Sequence, residues 1–292
     1  MAILINKKTK VLVQGITGTQ ASFHIQKAKK YGTKIVAGVV PNKKEEFHLG
    51  IPLFSTVKDA KKETGANASI IFVPAKQAKL AILEAIEAEL DFVVVITSGI
   101  PIADMMEIRQ RLSNSKTILI GPNTPGIITP DQAYMGIFPD NIHKKGEIGI
   151  ISRSSTLTYE IVLELNKLEL GQSTIVGLGD DFIVGSSFID FIERFNEDPK
   201  TKAIVLIAGI GGNLEIETAK KYTEIKHKKP VIALMINNPT KVLEYDTFAS
   251  KIICDGISEI EQKKNILRQS GIIVVEDIKS LINELSKIWH HW

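Results

Sequence analysis

Hydrophobic residues along this chain alternate between short β-branched runs and longer stretches of helical period. In the first half, continuous apolar runs predict strands at about 10–14, 34–40, 68–73, 92–97 and 117–120. Between two of these strands, residues 76–88 place Ala78, Ala81, Ile82 and Ile86 on one helical face. Strands this apolar are typical of a parallel sheet that is covered by helices on both faces.

A second series of the same kind follows a break in the pattern. From residue 121 to 146, glycine, proline and asparagine are dense and no helical period survives, so we expect the domain connection there. Later apolar runs predict strands at about 148–151, 173–176, 203–207, 231–235 and 272–275. Helices are expected near 156–168, 187–195, 214–224, 259–269 and 278–288. We therefore predict an α/β protein with one domain at 1–125, an irregular connector at 126–146 and a second domain at 147–292.

Composition narrows the class of protein. The chain has 292 residues, of which 44% are hydrophobic and 24% are charged, which is ordinary for a globular protein of two domains. A net charge of +3, evenly spread, argues against nucleic acid or a membrane as a partner. The single cysteine, Cys254, excludes an internal disulfide and fits a reducing compartment. No signal peptide is recognised and no apolar run approaches the roughly 20 residues that span a bilayer, so we expect a cytoplasmic protein.

The first predicted strand runs into a glycine-containing turn, Gly15-Ile16-Thr17-Gly18, and a helix is expected from about Ala21. Glycines let the backbone turn tightly, and the N–H groups of the opening helix then favour a phosphate. The spacing is G-x-x-G-x-x-A and not the G-x-G-x-x-G of dinucleotide sites. A nucleotide site and a tight turn without a ligand both fit this spacing.

The end of the second predicted strand carries lysines in place of the acidic residue that an NAD site needs. Lys43 and Lys44 follow Val39–Asn42, where Asp or Glu would bond the ribose 2′-hydroxyl of NAD. Lysines suit an additional phosphate, such as that of coenzyme A or of NADP. A solvated pair of surface charges explains them equally well, so the pattern favours a phosphorylated nucleotide without proving one.

Four sequence segments follow one another at the spacing found in one known protein family: QGITGTQASFH at 14–24, GPNTPGIITP at 121–130, ISRSSTLTYE at 151–160 and GIGGNLE at 209–215. In these segments, and over nearly its whole length, the chain resembles the α subunit of succinate–CoA ligase (succinyl-CoA synthetase). The resemblance implies a Rossmann-like CoA-binding domain followed by a flavodoxin-like parallel α/β domain, with coenzyme A as the cofactor.

The same resemblance implies which residues contact coenzyme A. They are Thr17, Gly18, Thr19, Gln20, Lys43, Ile96, Thr97 and Ser98. Two segments depart from the family pattern. The glycines that flank the family lysine are Asn42, Lys44 and Glu45 here, which makes this loop stiffer and bulkier, and the family's Thr-Glu-Gly-Ile-Pro is Thr97-Ser98-Gly99-Ile100-Pro101.

In the second series, Ser154, Ser155 and Thr156 begin a predicted helix directly after a strand. Such residues cap a helix, and the N–H groups at its start form an anion site. A capped helix without a ligand is the plain alternative. In the family that this segment resembles, the helix start stabilises a phosphate carried on histidine, and the tyrosine corresponding to Tyr159 is linked with the carboxylate substrate.

The resemblance also implies a mechanism whose central residues are replaced here. The family passes a phosphoryl group from a nucleotide to a carboxylate through a histidine, which a glutamate orients. The histidine position falls on Phe248, whose ring has no lone pair, and the glutamate position falls on Gly209. Asp180 adds a carboxylate where the family has a second glycine. None of the six histidines lies at a family catalytic position, so we predict no catalytic residue among these positions, and no metal site.

Two hypotheses of function remain open. In the first, the chain is an α-subunit-like component of a nucleotide-dependent carboxylate–CoA ligase. In the second, it is a non-catalytic CoA-binding paralogue with a structural or regulatory role. The resemblance implies a β subunit with an ATP-grasp nucleotide-binding domain as partner, and a small carboxylate as substrate. An NADP-binding oxidoreductase would rest on the turn at 15–18 alone.

Overall fold

The computed structural model describes residues 3–209, 213–226, 228–235 and 257–290. The chain divides into two compact units, each of which is described by itself. The first unit comprises Leu4–Asn141 together with Gly177–Ser186. The second unit comprises Ile142–Val176 and the described residues from Ser187 onward. None of the helices within the described ranges combines the length and the apolar character that crossing a membrane requires.

The first unit is built on a parallel sheet. Its strands are β1 (Lys10–Gln14), β2 (Lys34–Val39), β3 (Phe47–His48), β4 (Ile51–Phe54), β5 (Ala68–Ile71), β6 (Phe92–Val95), β7 (Ile118–Ile120), β8 (Gly126–Thr129) and β9 (Ala133–Gly136). Its helices are α1 (Thr19–Tyr31), α2 (Val57–Thr64), α3 (Ala75–Glu87) and α4 (Ile102–Leu112). Seven of these strands form one sheet in the order β3-β4-β2-β1-β5-β6-β7, in which only β3 runs antiparallel to its neighbour. The six parallel strands have the Rossmann order, which confirms the predicted fold.

Burial explains why the strands of this unit read as continuous apolar runs. All residues of β5 and of β6 are buried, because helices cover the sheet. The polar side chain of Gln14 lies in this core at the end of β1. Its amide donates to the carbonyl oxygen of Ala81 at 2.8 Å and accepts from the hydroxyl of Ser69 at 2.8 Å. The buried amide is thereby satisfied, and it joins β1 to β5 and α3.

Two hairpins of the first unit depart from the sequence expectation. Leu49 and Gly50 both have positive φ, as in the primed turns that join two antiparallel strands, and they connect β3 to β4. The strands β8 and β9 pair from Gly126 with Gly136 to Thr129 with Ala133. The expectation of irregular chain over 126–146 is therefore wrong for 126–136. Its glycines and prolines concealed a hairpin, since both glycines have positive φ and approach the opposite backbone closely.

The second unit is also a parallel sheet between helices. Its strands are β10 (Lys145–Ser152), β11 (Gln172–Gly177), β12 (Ala203–Ala208), β13 (Val231–Met235) and β14 (Ile273–Val275). Its helices are α5 (Ser155–Lys167), α6 (Phe188–Glu197), α7 (Leu214–Tyr222), α8 (Ile257–Gln269) and α9 (Ile278–His290). The strands lie in the order β14-β13-β12-β10-β11. Counted along the chain this is the flavodoxin order 2-1-3-4-5, so the predicted flavodoxin-like fold is confirmed.

Candidate functional site

In the first unit, the predicted ligand residues follow the carboxyl ends of neighbouring strands. β1 leads to Thr17–Gln20, β2 leads to Lys43, and β6 leads to Ile96–Ser98. The chain places β2 on one side of β1 and later returns to place β5 on the other side, so the strand order reverses between β1 and β5. In doubly wound sheets, ligands bind in the crevice at such a point. The fold brings the three predicted segments to this one edge.

Helix α1 begins at this edge, two residues earlier than expected. Gly18 is its N-cap residue and has no side chain to bond the helix backbone. The residues Thr17, Gly18, Thr19 and Gln20 are all exposed. The first turn contains no acidic residue, whereas Lys29 and Lys30 lie in the last turn. An exposed helix start with this charge distribution favours an anionic group.

Gly15 shapes the turn before α1. Its φ is +83°, in the left-handed region that favours glycine. A Cβ atom there would lie 3.0 Å from Cγ1 and 3.1 Å from the backbone nitrogen of Val73, which follows β5. Only a residue without a side chain therefore lets the turn after β1 approach the end of β5 this closely.

A hydrogen-bonded pair outside the predicted set supports the same turn. The hydroxyl of Ser22 on α1 donates to the carbonyl oxygen of Ile16 at 3.1 Å and lies 2.8 Å from Nε2 of His48 on β3. Because the hydroxyl has one proton and directs it to Ile16, Nε2 of His48 is the donor to Ser22. The turn is thus anchored both to α1 and to the β3–β4 hairpin.

Lys43 forms an ion pair with Glu46. Its Nζ lies 2.9 Å from Oε2 of Glu46, and the Glu46 side chain is 78% exposed. Asn42, the residue before it, has a φ of +58°, where the family that the chain resembles has glycine. An exposed ion pair of this kind contributes only about 0–1 kcal/mol, so a phosphate group could compete for the lysine.

The segment after β6 is held by hydrogen bonds to its neighbours. The hydroxyl of Thr97 donates to the carbonyl oxygen of Val73 at 2.5 Å, and the Thr97 carbonyl accepts from the backbone N–H of Asn123 at 2.9 Å. Ile96 is half-buried, and Ser98 is exposed. The Ser98 side chain is therefore accessible to a ligand.

In the second unit, the fold brings two of the sequence motifs to one edge. The strand order reverses between β10 and β12. β10 ends at Ser152 and leads to Ser154, Ser155 and Thr156, while β12 ends at Ala208 and leads to Gly209. Ser154 takes the N-cap position of α5, but its side chain accepts no hydrogen bond from the helix backbone. Tyr159 lies on α5 just beyond them, and burial raises the pKa of its hydroxyl.

A buried charge cluster lies at this edge and was not predicted. Glu215, in the first turn of α7, is 2% exposed, and its Oε1 accepts the backbone N–H of Gly209 at 3.0 Å. Nη1 of Arg153 lies 4.0 Å from Oε1, and Nζ of Lys263 lies 3.9 Å from Oε2. Burial raises the pKa of the Glu215 carboxyl, and the two cations oppose that rise.

Arg153 occupies the space beside Gly209. A Cβ atom at Gly209 would lie 2.9 Å from Nη1 of Arg153, so a side chain at this position must displace the guanidinium group. The resemblance places the orienting glutamate of the family at this position. Phe248, at the family histidine position, lies outside the described residues.

The cluster shows which signals sequence analysis overlooked. Glu215 ends the GIGGNLE segment and Arg153 lies within ISRSS, but a charge at a helix start is by default solvated. Lys263 has no local signal, because α8 follows α7 only after a further strand. Over the part of the chain that the structure describes, no group of three or more His, Cys, Asp or Glu side chains is arranged to hold a metal ion.

Comparisons with known proteins agree with the two units. The family model described as CoA binding domain matches residues 6–99, and the one described as CoA-ligase matches residues 151–284. The chain is 48% identical over 292 residues to the α subunit of ADP-forming succinate–CoA ligase from Aquifex aeolicus, covering 99% of this chain and 95% of that one. It is 46% identical over 272 residues to the same subunit from Staphylococcus aureus, covering 93% and 90%. The predicted CoA-binding domain is thereby confirmed.

Solved structures share the fold at lower identity. ATP citrate lyase from Methanothrix soehngenii, in complex with citrate and coenzyme A, matches with a TM-score of 0.84 and 21% identity, covering 99% of this chain and 50% of that one. Acetyl-coenzyme A synthetase 1 from Ca. Korarchaeum cryptofilum matches with a TM-score of 0.75 and 20% identity, covering 93% and 59%. The chain thus spans 50–59% of the length of these two structures, and at such identities the likeness shows the fold alone.

Proposed function

Because the chain belongs to the family of succinate–CoA ligase α subunits, we propose that it binds coenzyme A as the α-subunit-like component of a nucleotide-dependent carboxylate–CoA ligase. The observation that carries this proposal is the meeting of Thr17–Gln20, Lys43 and Ile96–Ser98 at the edge where the order of the parallel strands reverses. The exposed start of α1 suits the diphosphate of coenzyme A, and Lys43 suits its additional phosphate.

The proposal includes a partner and a place for the substrate. We assign the nucleotide to a separate β subunit with an ATP-grasp domain, since the two units of this chain are accounted for by the CoA-binding and CoA-ligase families. A small carboxylate would lie near Tyr159, and a phosphate would lie near the start of α5 at Ser154–Thr156. The reaction would take place in the cytoplasm. Arg153 directly precedes that start, and the two cations Arg153 and Lys263 face a single carboxylate, that of Glu215, so the excess positive charge favours an anion.

A second candidate function is favoured by one specific observation. The guanidinium of Arg153 fills the space beside Gly209, where the family resemblance expects a glutamate, and Phe248 stands at the histidine position. A phenyl ring cannot form a phosphoramidate. Under this reading the chain keeps coenzyme A and has lost the phosphoryl-transfer step at the family position.

The test of the ligase proposal is phosphorylation of the chain in its natural complex. The protein is isolated with its partner, γ-labelled ATP or GTP is added, and acid-labile phosphate is measured on this chain. Label would mean that another residue has taken the histidine's role, and the ligase function would stand. An unlabelled chain that still binds coenzyme A in a calorimetric titration would establish the non-catalytic alternative. Preference for NADP over coenzyme A would refute both.

The two replaced family positions, Phe248 and Gly209, give a sharper prediction. Phe248→His alone is expected to remain unlabelled, because Gly209 provides no carboxylate to orient the new imidazole. The matched control is the same substitution combined with Gly209→Glu, which has to displace Arg153. Acid-labile phosphate on the single variant would contradict the role given to Gly209.

A further inference from the structure

Asp181 lies in the segment 177–186 of the first unit and contacts the loop that follows β6. Its carboxylate accepts the backbone N–H of Gly99 at 3.2 Å. The backbone of Ile100 and the side chain of Asn123 lie near enough to lower the pKa of this carboxyl. Sequence analysis assigned no role to Asp181. This half-buried carboxylate thus accepts a backbone N–H that lies 82 residues earlier in the chain and is not simply a solvated surface charge.

The loop is held from its other end as well. The backbone N–H of Asn123 donates to the carbonyl oxygen of Thr97 at 2.9 Å, and the N–H of Asp180 donates to the carbonyl oxygen of Asn123 at 3.2 Å. Asp181 and Asn123 therefore hold the backbone from Thr97 to Gly99 at both ends. Gly99 has a φ of +72° inside this bracket, and a Cβ atom there would meet nothing within 4 Å. Local packing around Gly99 does not fix its conformation, so these hydrogen bonds and the buried side chain of Ile100, the next residue, hold the loop together.

We propose that Asp181 is a positioning residue for coenzyme A, which holds the loop 97–100 so that Thr97 and Ser98 meet the ligand. This inference rests on the proposed function, because the contact of Thr97 and Ser98 with coenzyme A is itself part of that proposal. Asp181 acts through the backbone of the loop and does not touch the ligand. A loop released from this carboxylate spends less time in the binding conformation, and the apparent affinity falls by the same fraction.

The charge of Asp181 makes the effect depend on pH. Burial raises the pKa of its carboxyl above the usual value, the neighbouring Asp180 adds to the rise, and the polar groups of Asn123, Gly99 and Ile100 oppose it. On α4, Arg109 faces the same segment, where it donates to the carbonyl oxygen of Gly185. Protonation removes the charge that the N–H of Gly99 bonds. Affinity for coenzyme A is therefore highest above this pKa and decreases as pH falls through it.

Calorimetric titration of coenzyme A into the full chain tests the inference. The variants are Asp181→Ala, which removes every acceptor, and Asp181→Asn, which keeps one oxygen and cannot titrate. Asp91→Asn is the matched control: Asp91 is exposed, accepts one hydrogen bond from Asn67 at 2.9 Å, and precedes β6 at the opposite edge of the sheet. The titrations are repeated from pH 8 down to the ordinary carboxyl pKa of 3.8, and hydrogen exchange is followed in the peptide that contains Gly99 and Ile100.

We expect Asp181→Ala to bind coenzyme A about tenfold more weakly, as when only about a tenth of the loops are in the binding conformation. Asp181→Asn should lose less affinity. The ratio of its affinity to that of the unmodified chain should approach one at low pH, because Asp181 is then protonated and also uncharged. The titration of coenzyme A itself cancels in this ratio. Exchange at Gly99 and Ile100 should be faster in Asp181→Ala. Asp91→Asn should bind as the unmodified chain does.

Three results would overturn the inference while leaving the proposed function intact. The first is Asp181→Ala with unchanged affinity. The second is tighter binding, which would mean that Asp181 acts only as a negative charge near an anionic ligand. The third is a ratio of the Asp181→Asn affinity to that of the unmodified chain that stays constant across the pH range. If Asp181→Ala does not fold, the ratio for Asp181→Asn decides. An unmodified chain that binds no coenzyme A would instead refute the proposed function.

Discussion

The close approach of Gly15 to Val73 can be tested by adding a single methyl group. In Gly15→Ala the new Cβ would lie 3.0 Å from Cγ1 and 3.1 Å from the backbone nitrogen of Val73, and 3.3 Å from the carbonyl carbon of Phe72. The Val73 side chain can rotate away, but the two backbone atoms at the end of β5 cannot. The residue must also keep a φ of +83°. The substitution therefore combines a backbone strain with a steric contact.

The magnitude follows from these two contributions. An L-residue in the left-handed region costs about 1–2 kcal/mol. Forcing a methyl group against backbone that cannot move adds about 1–3 kcal/mol. We expect the free energy of unfolding to fall by roughly 2–5 kcal/mol. For a unit of this size each kcal/mol lowers the melting temperature by about 2–4 °C, so the fall should be at least about 4 °C.

Two other glycines separate the contributions. Gly50, in the β3–β4 turn, has a φ of +69° and open space at its Cβ position, so Gly50→Ala measures the backbone strain alone. Gly18 has an ordinary φ of −64°, and its Cβ would make an ordinary contact at 3.5 Å with the Gly15 carbonyl oxygen. In Gly18→Ala, a poorer N-cap and a less flexible unfolded chain roughly cancel, leaving stability within about 0.5 kcal/mol. Its methyl group stands at the start of α1, however, and should weaken coenzyme A binding about tenfold.

The assay is a melting curve and a coenzyme A titration for each of the three variants. Gly15→Ala should lose both stability and affinity, Gly50→Ala stability alone, and Gly18→Ala affinity alone. A Gly15→Ala variant no less stable than Gly50→Ala would refute the close approach to Val73. A Gly18→Ala variant with full affinity would remove the start of α1 from the ligand site.

Further predictions concern single ion pairs and hydrogen bonds. Lys43→Ala should weaken coenzyme A binding. Glu46→Gln frees Lys43 from its 2.9 Å ion pair and should strengthen binding by up to about fivefold. If both variants bind coenzyme A with the affinity of the unmodified chain in a titration, Lys43 is excluded from the site. Nζ of Lys229 donates to the carbonyl oxygens of Phe195, at 2.6 Å, and of Asp198 at the end of α6. Lys229→Met leaves both acceptors without this donor and should lower the free energy of unfolding by about 1–3 kcal/mol in urea, and an unchanged urea midpoint would contradict this.

The Lys229 ammonium also gives the unfolding free energy a defined dependence on pH. Burial lowers its pKa, and Asp198 opposes the change. Above the lowered pKa and below the ordinary value of 10.5, the unfolded chain binds more protons, so stability should rise with pH in that window. Lys229→Met should abolish that rise when unfolding is measured across the same pH range.

Local sequence determined the positions of the secondary structure and the class of fold. Every strand predicted from an apolar run is present, since a buried parallel strand needs continuous apolar residues and a crossover helix needs a helical period. The same patterns failed at β3–β4 and β8–β9. There the signal lies in positive φ at Leu49, Gly50, Gly126 and Gly136, and not in the period of apolar residues.

Only the tertiary structure decided which side chains meet. Sequence placed Thr17, Lys43 and Thr97 in separate turns, and the strand order brought those turns to one edge. It gave no reason to join Asp181 to Gly99, or Glu215 to Arg153 and Lys263, because these contacts cross from 48 to 82 residues of chain. Local periodicity records whether a residue faces the core. The choice among partners in that core depends on the packing of the whole unit, where a buried charge must find whichever opposite charge or backbone donor the fold supplies.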